Sequence, residues 1–213
     1  MEGPAVDWIA YFETMKDWKR LPAYKAEPRL DSLVATYLPR ILEHHLGERM
    51  TGIIPELPLR IATLCPEIPS NQSWKVDFLV VGERRNWLVE FKTDSGSRRD
   101  AQDEYLEAAK RVGTAAILDG ICKIEKATSP QYRHKYAHLL AKLRTLGMLD
   151  ETNSWTGRNP EIEIVYVQPR KFADSAEENV VDFCQIADWL ERVHHGEGFE
   201  MAFADALRGW AGD

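Results

Sequence analysis

Short apolar segments separated by turn-forming residues mark the positions of β-strands along the chain. Three of them, residues 59–68, 75–81 and 86–92, follow one another closely. Because only a short turn separates the second from the third, we expect these two to form an antiparallel hairpin. Residues 161–168 alternate apolar and polar positions and predict another strand. The shorter segment 179–183 predicts a fifth.

Apolar residues at helical spacing mark the segments around these strands. Residues 5–19 repeat aromatic side chains at this spacing, and a second helix is expected to begin near Pro28 and to be kinked or split at Pro39. Glycines and prolines predict a loop over residues 47–58. The remaining helices are predicted at 98–112, 114–127, 131–146, 185–195 and 199–210.

This order of elements predicts an α/β (α+β) protein with a central mixed sheet of four to five strands, flanked by helices and with extra helices at both ends. The 213 residues are enough for one ample hydrophobic core. We therefore expect a single domain over residues 1–213, with its core at about 27–170 and a helical addition at about 184–213.

Charge is distributed unevenly along the chain, which carries a formal net charge of −7. Residues 84–144 contain 13 basic and 8 acidic side chains and form the only basic third. A uniformly acidic protein would repel nucleic acid, whereas this distribution leaves a basic region that could bind it. The three cysteines are far apart and odd in number, so neither a disulfide framework nor a zinc site is expected.

The sequence has neither the layout of a secretory signal at its start nor an apolar run long enough to span a membrane. We therefore expect a cytoplasmic protein without a membrane partner.

Ionisable residues interrupt the two apolar strands of the predicted hairpin. Asp77 lies in the first strand, and Glu90 and Lys92 lie on one side of the second. A buried carboxylate is costly unless a cation or hydrogen-bond donors compensate it. Across the hairpin Asp77 can approach Glu90, and a hard divalent cation such as Mg²⁺ would remove the repulsion between them. A structural ion pair involving Glu90 and Lys92 is the alternative interpretation.

The spacing of these residues resembles the D…ExK signature of the PD-(D/E)XK, restriction-endonuclease-like nucleases. Here it consists of Asp77, twelve intervening residues and Glu90-Phe91-Lys92, and no proline precedes the aspartate. The order helix, three strands, helix, strand is similar as well, and the resemblance covers residues 27–112, about 40% of the chain. It implies a restriction-endonuclease-like core and a deoxyribonuclease that hydrolyses DNA with Mg²⁺, or alternatively Mn²⁺.

The resemblance also implies roles for individual residues. Asp77, Glu90 and the backbone carbonyl of Phe91 would bind the metal, and Lys92 would be the catalytic lysine. Gln102, on the helix after the hairpin, would be an auxiliary polar residue facing the site.

Many members of this superfamily add an acidic residue from the preceding helix. Glu27 falls on the apolar stripe of that predicted helix, and Asp31 lies at the edge of the stripe. We predict that Glu27 supplies the additional metal ligand.

Arg98 and Arg99 come at a helix start, where a phosphate would be well placed, although solvated arginines are an equal alternative. DNA is the expected partner, and a homodimer would suit cleavage of both strands. The other basic side chains of this region fit either phosphate binding or a hydrated helix surface. They are Lys123, Lys126, Arg133, Lys135, Lys142 and Arg144.

The alternative to a nuclease is a catalytically inactive module of the same fold that binds nucleic acid or protein.

Overall fold

A computed structural model describes residues 6–21, 25–94, 100–171, 179–194, 196 and 198–212. The helices are α1 (Trp8–Trp18), α2 (Glu27–Leu46), α3 (Ile61–Leu64), α4 (Asp100–Ala127), α5 (Pro130–Thr145), α6 (Phe183–Val193) and α7 (Gly198–Ala211). The strands are β1 (Met50–Arg60), β2 (Ser73–Gly82), β3 (Asn86–Phe91), β4 (Ile162–Gln168) and β5 (Asn179–Asp182).

The five strands form one mixed sheet in the order β1-β2-β3-β4-β5. β2 pairs antiparallel with both β1 and β3. β4 runs parallel to β3, because the amide of Asn86 donates to the carbonyl of Glu161 at 3.0 Å and the amide of Lys92 donates to Val167 at 2.8 Å. The predicted α+β class, with a mixed sheet flanked by helices, is therefore confirmed.

β1 corrects two predictions. Residues 50–58 were expected to form a loop, yet they belong to the strand, while the strand expected at 59–68 ends at Arg60. Pro55 and Pro58 lie in β1, which is an edge strand, the position within a sheet where proline is tolerated.

After Arg60 the chain leaves the sheet and forms α3, which packs on α4. The two helices approach closely at Gly120, where a β-carbon would lie only 2.7 Å from Oγ1 of Thr63. Leu64 is the buried residue of α3, so the apolar residues directly after Arg60 belong to a short helix rather than to a continued strand.

The sequence predicts that helical structure is interrupted at Pro39 and again between residues 112 and 114, and the two predictions have different outcomes. Pro39 lies inside α2, which continues through it to Leu46 and is not split. Gly113 interrupts α4 with φ +78° and ψ 173°, at the boundary between the two helices predicted over 98–112 and 114–127. A positive φ of this kind favours glycine.

The density of contacts divides the chain into two compact units. The first contains residues 1–41, 91–98 and 166–213. In it, Phe12 of α1 stacks on Phe203 of α7 with ring centroids 5.3 Å apart. A reciprocal cap between Asp182 and Gln185 begins α6.

The second unit contains residues 42–90 and 99–165, including the β2–β3 hairpin and α4. A buried polar cluster connects the hairpin turn to α4 and the loop before β4. Asn86 Nδ2 donates to Thr114 Oγ1 at 2.9 Å and to the Asn159 carbonyl at 3.1 Å, and Asn159 Nδ2 donates to the Gly82 carbonyl at 2.7 Å.

No helix within the described ranges is long and apolar enough to cross a membrane. The cytoplasmic location and the homodimer remain predictions.

Candidate functional site

The β2–β3 hairpin places Asp77 opposite Glu90. Phe78 pairs with Val89 and Leu79 pairs with Leu88, so continuing this register by one residue brings the two acids face to face. Directly opposite residues of an antiparallel pair project to the same side, with β-carbons about 5 Å apart. The approach of Asp77 to Glu90 that the sequence predicts therefore agrees with the observed register.

Helix α4 covers the side of the hairpin that carries these carboxylates. In β3, Asn86 and Glu90 lie on one side because their positions differ by an even number, and both form hydrogen bonds with side chains of α4. Gln102 Nε2 donates to Oε1 of Glu90 at 2.7 Å. The predicted auxiliary position of Gln102, on a helix facing the site, matches this contact.

The two carboxylates differ in burial. Glu90 is 1% exposed, whereas Asp77 is half-buried. Desolvation disfavours the charged form of a buried carboxyl group, and a nearby like charge disfavours it further. The hydrogen bond from Gln102 compensates part of this cost by stabilising the charge on Glu90.

Tyr105 is a further component of the site that the sequence analysis did not identify. It lies on α4 three residues after Gln102, and its hydroxyl donates to the carbonyl of Lys75 at 3.0 Å. Its ring stacks on Trp74 with centroids 5.4 Å apart and an interplanar angle of 16°. These contacts attach α4 to the start of β2 and so fix the position of Gln102.

The pKa of Tyr105 is raised well above its usual range. Burial is the main cause, and the negative charge of Glu90 is the next, with smaller contributions from Asp77 and Asp103. The phenol therefore stays protonated at neutral pH and remains a hydrogen-bond donor.

A groove of about 810 Å³ opens beside Gln102, Trp74 and Tyr105. Its lining includes four acidic side chains and one basic side chain: Glu67, Asp103, Glu104, Glu107 and Arg111. An acidic groove raises the local concentration of cations and repels phosphates.

Phe91 and Lys92 follow Glu90 in the chain and belong to the first unit. Phe91 is fully buried, and its ring stacks on Phe183 at 5.8 Å. Lys92 is 5% exposed, and its backbone amide bonds to β4. A buried lysine interacts strongly with charges near its ammonium group because the surrounding dielectric is low.

The remaining predicted site residues are Glu27, Arg98 and Arg99. Glu27 is half-buried in the first turn of α2, and its role stays a prediction. Within the part of the chain that the structure describes, no group of three or more His, Cys, Asp or Glu side chains is arranged to hold a metal ion. Arg98 and Arg99 lie outside the described residues.

Compared with models of known protein families, with curated protein sequences and with solved structures, the chain has no match.

Proposed function

We propose that this protein is a metal-dependent nuclease that hydrolyses phosphodiester bonds of DNA through Asp77, Glu90 and Lys92. The observation that carries the proposal is the hydrogen bond from Gln102 to the buried carboxylate of Glu90, at the position where the register of the hairpin, continued by one residue, brings Asp77 opposite Glu90. The elements around this pair follow in the order α2, β1, α3, β2, β3, α4, α5, β4. Apart from the added helices α3 and α5, this is the order helix, three strands, helix, strand, and it supports a restriction-endonuclease-like core, as the D…ExK resemblance implies.

The donor atoms fit a small, hard cation. Mg²⁺ usually takes only one or two protein carboxylates and keeps several waters, so Asp77 and Glu90 suffice without a third acidic ligand. The backbone carbonyl of Phe91 would be a further oxygen ligand. A bound divalent cation supplies charge stabilisation to a phosphodiester oxygen and lowers the pKa of a coordinated water. The acidic groove beside the pair favours cation entry.

The side chains of the chain itself then orient and stabilise the reacting groups. Gln102 fixes the orientation of the Glu90 carboxylate through its amide. Lys92 would stabilise negative charge that develops during hydrolysis, and its burial strengthens that interaction. Tyr105 remains neutral and keeps α4 attached to the start of β2.

The acidic groove also favours a second candidate, the catalytically inactive module of the same fold in its protein-binding form. Its acidic lining suits a basic protein segment as well as a metal ion. The two candidates differ in whether phosphodiester hydrolysis depends on Asp77.

A cleavage assay separates them. Single-stranded and duplex DNA are incubated with the protein in Mg²⁺, in Mn²⁺ and in EDTA. We expect hydrolysis only with metal, and its loss in Asp77→Asn but not in the matched groove variant Glu67→Gln, whose side chain is exposed. Absence of cleavage under all conditions would favour the inactive module, and equal cleavage by Asp77→Asn would show that the activity does not come from the proposed site.

A further inference from the structure

Helix α5 is an unusually basic element in an acidic protein. Its sixteen residues contain four Lys or Arg and two His, and no Asp or Glu. Lys135, His138 and Lys142 are all exposed. Because the chain as a whole carries a net charge of −7, this helix is a local concentration of positive charge.

Three of these side chains line one groove. Lys135, His138 and Lys142, at helical spacing, meet Lys75 of β2 around a space of about 360 Å³. The apolar part of its lining comes from α5 and the edge strand β1, through residues that include Ile54, Pro55, Pro58 and Leu139. The groove therefore combines apolar surface with a cationic rim, which suits the phosphates of a nucleic-acid backbone.

The spacing of the lysines suits successive phosphates. Lys135 and Lys142 are two helical turns apart, about 10 Å along the axis. One strand of DNA advances about 3.4 Å per phosphate, so this distance covers about three nucleotides.

Lys75 can contact a phosphate of the same DNA strand. Its ion pair with Glu56 is 3.3 Å long, and the two side chains are 63% and 61% exposed. Such a surface pair contributes little energy and can give way to a phosphate.

This groove lies close to the candidate site along β2. Lys75 precedes Asp77 by two residues and projects to the same side of the strand. Two residues of an extended strand span about 7 Å. By contrast, the larger groove beside Trp74 has an acidic lining that repels phosphates. A nucleic-acid backbone is therefore expected to approach Asp77 from the α5 side.

We propose that the groove between α5 and the β1 edge, with Lys75, Lys135 and Lys142 at its rim, binds the sugar–phosphate backbone of nucleic acid and guides it toward Asp77. The guiding role rests on the proposed nuclease function, whereas backbone binding does not. Because phosphate contacts carry no direct sequence information, this surface binds without base specificity.

Binding is measured by fluorescence anisotropy in EDTA, so that neither metal nor hydrolysis affects the result. The probes are a labelled 20-nucleotide DNA, its duplex and an RNA of the same sequence. The test variant is Lys135→Glu/Lys142→Glu. The matched control, Arg49→Glu/Arg84→Glu, makes the same change of charge at two exposed residues. These residues lie near the end of β2, about 30 Å from its start, where Lys75 lies.

We expect the α5 variant to bind roughly ten- to a hundredfold more weakly and to lose about two units from the slope of log affinity against log salt. The control should bind within about twofold of the wild type. Equal affinity and slope for the two variants would overturn the proposal, as would failure of the wild type to bind any probe at low salt. Equally tight binding of a poly-glutamate peptide would show that the surface recognises negative charge alone and would also overturn it.

A cleavage assay of the same variants distinguishes this inference from the nuclease function. Binding that depends on α5, without cleavage in Mg²⁺ or Mn²⁺, retains the surface and rejects the nuclease. Normal cleavage by Lys135→Glu/Lys142→Glu at limiting DNA rejects the surface and retains the nuclease.

Discussion

Gln102 donates a 2.7 Å hydrogen bond from its side-chain amide to the buried carboxylate of Glu90. This contact joins α4 to β3 at the point where Asp77 lies across the hairpin. Gln102 thereby orients one proposed metal ligand without binding the metal itself. Hydrogen-bond partners of metal ligands commonly affect metal affinity and activity by 10–100-fold.

The first prediction concerns this positioning role. Gln102→Ala should lower kcat/KM for DNA and the affinity for Mg²⁺ by roughly 10–100-fold each, because the Glu90 carboxylate loses its orienting donor. Gln102→Asn, with a shorter side chain, should restore little. The control is Glu107→Gln, on the same helix and exposed, which should leave both quantities within about twofold. If only kcat/KM falls while Mg²⁺ affinity is unchanged, Gln102 acts on something other than the metal ligand.

The second prediction separates a metal ligand from a structural ion pair. In EDTA, Glu90→Gln should be as stable as the wild type or more stable by about 1–2 kcal/mol, because it removes a buried charge and its amide oxygen still accepts from Gln102. Mg²⁺ should raise the melting temperature of the wild type alone. Thermal denaturation with and without Mg²⁺ measures both effects. A metal-free Glu90→Gln protein less stable by about 3 kcal/mol or more would indicate a structural ion pair instead.

The third prediction concerns Lys92. Lys92→Met keeps most of the buried side-chain volume but removes the charge, so hydrolysis should fall by about two to three orders of magnitude while Mg²⁺ binding persists. Lys92→Arg should restore little activity, because a planar guanidinium does not replace a compact ammonium. Single-turnover rates and metal titrations give the two readouts. Full activity in Lys92→Met would assign this lysine to structure.

The fourth prediction concerns the buried cluster at the hairpin turn. Asn86→Ala removes donors to Thr114 and to the carbonyl of Asn159 and should lower the free energy of unfolding by about 1–3 kcal/mol. Asn71→Ala is the control, since Asn71 is exposed. The side-chain hydrogen bonds described for Asn71 are those that it accepts from Arg60. It should change stability by less than about 0.5 kcal/mol. Urea denaturation that finds equal losses for both variants would contradict the importance of the cluster.

The sequence identifies the hairpin because local patterns determine it. Apolar runs on either side of a short turn specify both strands, and the turn sets the register that brings Asp77 opposite Glu90. Gly113 could likewise be expected to separate two helices, because its backbone conformation is unfavourable for other residues.

The errors arise where tertiary context determines the local structure. Pro55 and Pro58 oppose a strand locally, and only the position of β1 at the sheet edge makes them acceptable. Residues 61–64 have a strand-like apolar composition but pack on α4 at Gly120.

Tyr105 was missed for a similar reason. Its stacking on Trp74 joins residues that are far apart in sequence, and no local pattern specifies that contact. A usable signal was its position three residues after Gln102, on the same face of the helix.

The most direct test of the central claim is calorimetric titration of the protein with Mg²⁺ and Mn²⁺. The wild type should bind metal, Asp77→Asn and Glu90→Gln should show no binding heat, and the exposed groove variant Glu104→Gln should bind as the wild type does. Loss of binding in only the first two variants would locate the metal at the cross-strand pair. Metal binding that persists unchanged in Asp77→Asn and Glu90→Gln would contradict the account.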